Sequence, residues 1–309
     1  TVTLGLSSNP HVFDGARQRI WNSTSLNALK ECPKKYELSI LRGWTSLGEN
    51  IHIIFGLAYH KAVELFHFAK AEGKDYNQAL LVAVRYAMLS VSEAQLPPQA
   101  SENKKTRTNL VRSIIWYLEE FGEEDPIETL ILPSGEPAVE VTFQHDLSIL
   151  QPDGTPYILS GHIDRIGRFA GRLHFTDLKT TGAALGEYYF KHYSPNNQMS
   201  LYAYAGKVIH HEPIVGGILD VAQVMVGFTR YQRGFVQRTP GQLAEWEDDL
   251  SVWISLAESY ALARRWPQND QACRMCQFQP ICAKDPAVRE SFLKTNFSVR
   301  TINPLEIRT

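Results

Sequence analysis

Few cysteines, no excess of positive charge and no long apolar run set the first limits on this 309-residue chain. The four cysteines, Cys32, Cys273, Cys276 and Cys282, could form two disulfides. A chain of this length buries enough core to need no such staples, and nothing points to an oxidising compartment. A formal net charge of -2 is not the footprint of a protein that coats duplex nucleic acid non-specifically. It stays compatible with a locally basic channel, because acidic metal ligands offset lysines in a net count. No stretch approaches the roughly 20 apolar residues of a membrane span. Thr1-Val2-Thr3-Leu4 lacks the charged-then-apolar pattern of a secretory signal, and lacks a methionine, so upstream residues are expected. The expectation is a soluble, intracellular, cytoplasmic protein. Repeats and low-complexity segments are also lacking. The 44% hydrophobic content fits one large domain or two smaller ones.

What is present changes texture along the chain. From Trp21 to about Gly43 the sequence reads as a capped helix containing Cys32. Ser23, Thr24 and Ser25 offer N-cap side chains, and Leu26, Leu29, Tyr36, Leu38 and Leu41 supply the apolar positions. A helical stripe from Ile51 to about Ala71 is closed by Gly73. Further helical patterns over 77–94 and 103–121 are separated by Leu96-Pro97-Pro98, which no helix crosses easily. After Asp125-Pro126 the pattern alternates. Residues 138–143, 157–166 and 172–179 read as strands joined by the turns Pro152-Asp153-Gly154 and Phe169-Ala170-Gly171, which predicts an antiparallel meander. Ser194-Pro195 reads as an N-cap and a first-turn proline of the next helix. Strand character returns over 214–238. Thr239-Pro240-Gly241-Gln242 then opens a long helix with a capping-box pattern, its buried face formed by Leu243, Trp246, Leu250, Trp253, Ala257 and Tyr260. It stops at Trp266-Pro267.

The chemistry starts from Asp177-Leu178-Lys179. A period of two puts the carboxylate and the ammonium on one strand face, with Leu178 on the other. That pair suits phosphodiester hydrolysis, in which a carboxylate holds a divalent cation and a lysine positions or deprotonates the attacking water. An exposed salt bridge is the plain alternative, and Glu72-Gly73-Lys74 and Glu102-Asn103-Lys104 repeat the pattern elsewhere. One strand earlier, Gly161-His162-Ile163-Asp164-Arg165-Ile166 places a second acid among apolar residues, where its burial is costly unless a cation or a partner such as Arg165 or Lys179 offsets it. Glu140 lies between Val139 and Val141, a position equally consistent with solvent. His60 sits in a helix with His52 and His67 as competitors. Gln198 and Tyr202, four apart, share one helix face.

The ordered set of His60, Gly161-His-Ile-Asp164-Arg165, Asp177-Leu-Lys179-Thr180 and Gln198-x-x-x-Tyr202 resembles the RecB-type branch of the PD-(D/E)XK nucleases, over about residues 23–283. Glu140 falls on the strand where that branch often carries another acid. Cys273-x2-Cys276-x5-Cys282, together with Cys32-Pro33-Lys34-Lys35-Tyr36, is similar to the iron–sulfur members of the branch: AddB-type helicase–nucleases, exonuclease V and CRISPR-associated adaptation nucleases. Thiolates suit zinc as well as iron–sulfur clusters, but a zinc ribbon has two short cysteine pairs that this chain lacks.

The resemblance implies an α/β, restriction-endonuclease-like core: a central mixed sheet flanked by helices, with a helical insertion and an iron–sulfur clamp joining the N- and C-terminal segments. The expected parts of this one integrated domain are 1–49 with the first cysteine, 50–125 with His60, the nuclease core over 126–238, and the long helix and cluster segment over 239–309. It implies a Mg²⁺- or Mn²⁺-dependent deoxyribonuclease, most simply an exonuclease on single-stranded DNA or frayed ends. An end-trimming nuclease of CRISPR adaptation and a non-catalytic DNA-binding scaffold with a four-cysteine zinc site are the alternatives. His60, Asp164, Asp177 and the Leu178 carbonyl would bind the cation, and Lys179 would orient or activate the water. Glu140 would hold a water or a second cation, Gln198 would fix the active-site backbone, and Tyr202 would touch DNA. Cys32, Cys273, Cys276 and Cys282 would carry a [4Fe–4S] cluster. DNA contacts are expected from Lys34, Lys35 and Arg165, with Lys30, Lys104, Lys105, Arg107 and Arg274 as weaker candidates and Tyr36 and Trp44 as stacking aromatics. The chain has no Gly-x-x-x-x-Gly-Lys-Ser/Thr, so unwinding would come from a helicase partner or the substrate's own ends. A single-strand-binding protein and an integrase are the other expected partners.

Overall fold

The computed structural model describes residues 12–13, 17–48, 50–96, 104–209 and 212–300. The described residues fall into two compact units, one drawn from 1–48, 142–161 and 239–309, the other from 49–141 and 162–238.

The elements run in chain order. The short strands β1 (Val12–Phe13), β2 (Arg17–Gln18) and β3 (Ile20–Trp21) precede α1 (Ser23–Glu31) and α2 (Pro33–Tyr36). A π-helical turn, Glu37–Leu41, leads to β4 (Trp44–Ser46). Three longer helices follow: α3 (Ile51–Ala71), α4 (Tyr76–Leu89) and α5 (Arg107–Phe121). Strands β5 (Glu128–Thr129), β6 (Val139–Leu150), β7 (Pro156–Phe169) and β8 (Arg172–Thr181) come next. After α6 (Glu187–Lys191) and α7 (Asn197–Ile209) lie β9 (Gly216–Val224) and β10 (Thr229–Val236). The chain then forms α8 (Pro240–Leu262), a 3-10 turn at Asp270–Met275, α9 (Gln279–Cys282), α10 (Pro286–Asn296) and β11 (Phe297–Val299).

The main sheet has the order β10-β9-β8-β7-β3, with β5 and β6 also pairing β7. Its β7–β8 and β9–β10 pairs are antiparallel, whereas β8–β9 and β3–β7 are parallel. The expected meander therefore holds for β7–β8, but the sheet is mixed. A parallel β8–β9 neighbour pair needs a crossover, and α6 and α7 supply it. β9 is buried along its whole length, as a central strand covered on both faces requires. In the second unit, α3, α4 and α5 pack through Phe55, Tyr59, Phe66, Ala83, Leu110 and Ile114 into a core that also takes in Leu178, Ala222 and Val224 of the sheet.

Several boundaries differ from expectation for identifiable reasons. The cap of α1 is Asn22, which forms a capping box with Ser25, and not Ser23, Thr24 or Ser25. Cys32 is extended (φ -163°, ψ 116°) and separates α1 from α2, because Pro33 disfavours helical geometry in the residue before it. α7 begins at Asn197 because the Asn196 side chain accepts the Met199 N–H at 3.2 Å, and the cis Ser194–Pro195 peptide lies ahead of it. On α8 the capping box of Thr239 and Gln242 forms, but Ile254 and Ala261 are buried where Trp253 and Tyr260 were expected. The start of the 103–121 pattern and part of Leu96-Pro97-Pro98 lie outside the described residues. No helix among the described residues is long and apolar enough to cross a membrane.

Candidate active site

α3 turns its apolar stripe into the core, which leaves His60 partly accessible on the flank, with Nδ1 3.5 Å from Asp164 Oδ2. His52 is exposed at the helix start. His67 instead lies 3.4 Å from the Arg165 guanidinium, and burial, reinforced by Arg165, pushes its pKa down to about 3. Asp164 stands on β7 where the ladder with β8 runs out. The last paired residues are Arg165 and Thr176, and beyond them the Leu178 N–H donates to Asp164 Oδ2 at 2.7 Å. A backbone donor is thus satisfied by a carboxylate, which fixes that carboxylate in place.

Glu140, at the start of β6, has φ +50°. A non-glycine residue in that region carries a cost on the order of 1–3 kcal/mol, and such strain clusters at functional sites. Among the described residues His60, Glu140 and Asp164 form the group of metal-binding side chains whose donor atoms all lie within 4.8 Å of one another. One imidazole nitrogen and two carboxylates suit a hard or borderline divalent cation.

Asp177 and Lys179 share a face, as a period of two requires. Lys179 Nζ donates to Asp177 Oδ1 at 2.9 Å and lies 2.8 Å from Oδ2. Asp177 is fully buried. Burial pushes its carboxyl above the ordinary range and Asp164 adds to this, while Lys179 offsets only part of it. Burial acts on Lys179 in the opposite sense, but Asp177 and Asp164 outweigh it and hold the ammonium charged. Lys179 also donates to Gln198 Oε1 at 3.2 Å, and Gln198 Nε2 donates to the Tyr202 hydroxyl at 2.9 Å. The i,i+4 spacing on α7 therefore serves a chain of contacts running Asp177, Lys179, Gln198, Tyr202.

Asp177 does not join the tight donor group of His60, Glu140 and Asp164, since its oxygens face Lys179. Leu178 meets Asp164 through its N–H. Tyr202 is only 5% exposed, with its ring against Phe175 and its hydroxyl held by Gln198, so it presents no face to a polymer. Arg165 is likewise 5% exposed and committed to Asp125, with both terminal nitrogens 2.9 Å from one carboxylate oxygen. It serves a buried charge cluster and not a surface contact.

Asp125 also accepts from Arg233 at 2.6 and 3.2 Å. Arg233 donates to Asp220, which accepts from Tyr117 as well. Glu64 and Asp220 line the same cavity as His60, Glu140 and Asp164. Asp125, Asp220, Arg233 and Glu64 were not singled out from the sequence. Asp220 carried the same signal as Asp164, an acid inside an apolar strand.

The expected surface cations are largely engaged. Lys34 pairs with Glu37, Lys35 with Glu31 at 2.7 Å, and Arg107 with Glu93 and the Met88 carbonyl. Lys30 lies over the Trp253 ring, Lys105 over Phe55, and Lys104 donates to the Gly182 carbonyl. Arg274 lies in the 3-10 turn at Asp270–Met275, beside Cys273. Tyr36 and Trp44 are buried and cannot stack on a base.

The four cysteines lie in the first unit, none in a disulfide. Asn269 ties two of them together: its N–H donates to Cys32 Sγ at 3.3 Å, and Cys273 Sγ donates to its carbonyl at 3.8 Å. Burial raises the Cys282 thiol pKa; Arg289 opposes this, and the neighbouring Cys32, Cys276 and Cys273 add to it. The sulfurs share a neighbourhood but are not drawn into one tight cluster, since no three approach within 4.8 Å of one another.

A family model for the PD-(D/E)XK nuclease superfamily matches residues 21–283. The chain belongs to that superfamily. The superfamily's hydrolytic nucleases usually use Mg²⁺ or Mn²⁺, and the acidic donor group at His60 is of the matching kind. No curated protein matches the sequence. Among solved structures, a protein from Eubacterium rectale described provisionally as an exonuclease aligns with TM-score 0.51 and 10% identity, over 88% of this chain and 92% of that one. A protein designated SSO0001 aligns with TM-score 0.33 and 15% identity, over 72% of this chain and 84% of the other. At 10% identity the first likeness is one of fold alone.

Proposed function

We propose that this PD-(D/E)XK chain is a metal-dependent DNA nuclease that degrades single-stranded DNA or frayed ends as an exonuclease. The observation that carries the reading is the meeting of two arrangements where β7 and β8 lie side by side. His60, Glu140 and Asp164 converge at one point, and Lys179 is anchored by Asp177 and Gln198 alongside.

A divalent cation held by His60, Glu140 and Asp164 would polarise the scissile phosphate and acidify water. Asp177, whose carboxyl is raised by burial and by Asp164, completes the negative charge that such a cation neutralises. Lys179 carries three N–H donors. Both Asp177 oxygens and Gln198 engage them, and the attacking water or a phosphate oxygen would share the same ammonium. Tyr202 acts through Gln198, holding its amide so that the oxygen faces the ammonium.

We also propose that Cys32, Cys273, Cys276 and Cys282 bind a [4Fe–4S] cluster that clamps the first unit. Support comes from the Cys-Pro-x-x-Tyr segment, from Asn269 bridging Cys32 and Cys273, and from the influence of the other three cysteines on Cys282. A single zinc ion would need ligand sulfurs roughly 3.8 Å apart, from Zn–S bonds of about 2.3 Å in a tetrahedron, and a cubane cluster accepts a wider set. Iron and sulfide in anaerobically purified protein support the cluster. Stoichiometric zinc without iron overturns it.

The nuclease reading is tested with end-labelled single-stranded DNA, wild type beside Asp177→Ala, in Mg²⁺, Mn²⁺ or EDTA. The expected outcome is metal-dependent degradation that the variant loses while keeping its fold. Wild-type rates in the folded variant would sink the assignment.

A further inference from the structure

The segment between the Asp-x-Lys strand and the Gln-x-x-x-Tyr helix, Glu187-Tyr-Tyr-Phe-Lys-His-Tyr193, has no place in the catalytic arrangement described above. Four of its seven residues carry phenyl or phenol rings and a fifth is histidine. α6 is five residues long, too short to hold itself together in water, so tertiary contacts must fix it.

Those contacts are specific. Phe190 lies on Gly234 of β10, in the space a Cβ there would occupy. Arg238 donates to the Tyr193 carbonyl at 2.8 Å and to Ser200 at 3.0 Å, tying the end of the segment to α7. Tyr189 hydrogen-bonds Thr181, two residues beyond Lys179 on the same strand face, and its hydroxyl is 3.3 Å from that of Tyr193. Half-buried tyrosines and a half-buried Phe190 set on Gly234 therefore hold this short helix against the end of the catalytic strand.

What the anchoring leaves outside is Tyr188. It is 79% exposed and braced edge-on by His192, with ring centroids 4.8 Å apart. A single exposed aromatic is ordinary on a protein surface. This one stands on a segment fixed by three separate contacts and tied to the catalytic strand. The basic groups nearby suit a polyanion: Lys191, paired with Glu187 at 2.9 Å on the segment itself, Arg238 against its end, and Lys104 on the Gly182 carbonyl at its approach.

We propose that Tyr188, held by this aromatic segment, stacks on an unpaired base of the strand whose phosphate enters the active site, and so makes the enzyme select single-stranded over duplex DNA. A base in a duplex already has both faces covered, whereas an unpaired one gains from a rigid ring that is sequence-tolerant because every base has a π-face. Phosphate contacts alone would hold both forms. The inference rests on the nuclease reading for where the scissile phosphate lies, but its test does not depend on cleavage.

Binding of a fluorescein-labelled deoxythymidine oligonucleotide is measured by anisotropy in EDTA, for wild type, Tyr188→Ala and Tyr188→Trp. A duplex of equal length and an oligonucleotide with abasic sites serve as comparisons. Tyr188→Ala is expected to bind the intact single strand about five- to tenfold more weakly, the low end of what one stacked base contributes. Tyr188→Trp should restore wild-type affinity. Duplex and abasic binding should be unchanged, as should the dependence of log Kd on log salt, because no phosphate contact is removed. Wild-type affinity in Tyr188→Ala overturns the proposal, and so does an equal loss on abasic or duplex DNA. If Asp177→Ala still cleaves while these shifts appear, the catalytic reading fails and the stacking surface stands.

Discussion

Replacing Asp125 with asparagine removes one charge and almost no volume from the buried cluster beside the catalytic strands. The carboxylate accepts from both terminal nitrogens of Arg165 at 2.9 Å and from Arg233 at 2.6 and 3.2 Å. Arg233 would keep Asp220 at 3.0 Å. Arg165, 5% exposed, would lose the one carboxylate that it pairs with among the described residues. Breaking a buried pair from one side costs about 3–5 kcal/mol, mostly through the charge left unpaired. The asparagine oxygen keeps part of the hydrogen bonding, so the lower end applies, about 3 kcal/mol. For a domain of 150–250 residues that lowers Tm by about 6–12 °C. pH supplies a second readout. Burial alone would raise the Asp125 carboxyl, but Arg165 and Arg233 outweigh it and hold the pKa below the ordinary value. A depressed folded pKa stabilises above the unfolded value, near 4, and that stability disappears as pH falls through the folded value. Thermal melts followed by circular dichroism at pH 7 and pH 3 should therefore show a wide gap between wild type and variant that narrows in acid. A variant melting within a degree of wild type at pH 7, or a gap that does not change with pH, would refute the reasoning.

Three further outcomes follow from the contacts. Lys179→Met should lower the single-turnover cleavage rate by about 10²–10⁴-fold, the range for a positioned proton donor or acceptor, with single-strand affinity in EDTA unchanged; a loss confined to affinity would contradict its placement at the attacking water. Gly234→Ala forces a Cβ into the Phe190 ring and should displace α6, weakening single-strand binding as Tyr188→Ala does, with cleavage of a tightly bound substrate less affected. Thr239→Ala removes the side chain that accepts the Gln242 N–H at 3.2 Å and should cost about 1 kcal/mol in urea unfolding.

The sequence carried the elements and the reacting groups further than it carried their partners. The helical stripe over Ile51–Ala71 and the Asp177–Lys179 pair follow from local periodicity, and both occur as spacing dictates. Cys32 was misread as helical although the signal was local, since the proline after it disfavours helix at that position. Arg165, expected at DNA, is held by a partner that the sequence hides for a different reason. Its partner, Asp125, stands 40 residues away at an element junction, and no periodicity links the two. The cost argument that singled out Asp164 applies equally to Arg165. A guanidinium inside an apolar strand needs a buried acid as much as a carboxylate needs a cation.

Glu140 shows where sequence reasoning stops in principle. Flanked by Val139 and Val141, it fits a solvent-facing strand position as well as an inward one, and alternation assumes extended backbone. The chain leaves that region at Glu140, at φ +50°, and the carboxylate arrives beside His60 and Asp164. Alternation is a consequence of dihedral geometry, so one residue outside the extended basin breaks the inference for its own side chain. The strain has to be offset by the surrounding structure. Ala138 is hydrogen-bonded on both sides, its N–H to the Leu130 carbonyl at 2.7 Å and its carbonyl from the Ile166 N–H at 2.8 Å. That clamp sits two residues before the kink and on the strand that carries Asp164. The acid whose orientation alternation left open is therefore placed two residues after a backbone bond to the strand that carries Asp164.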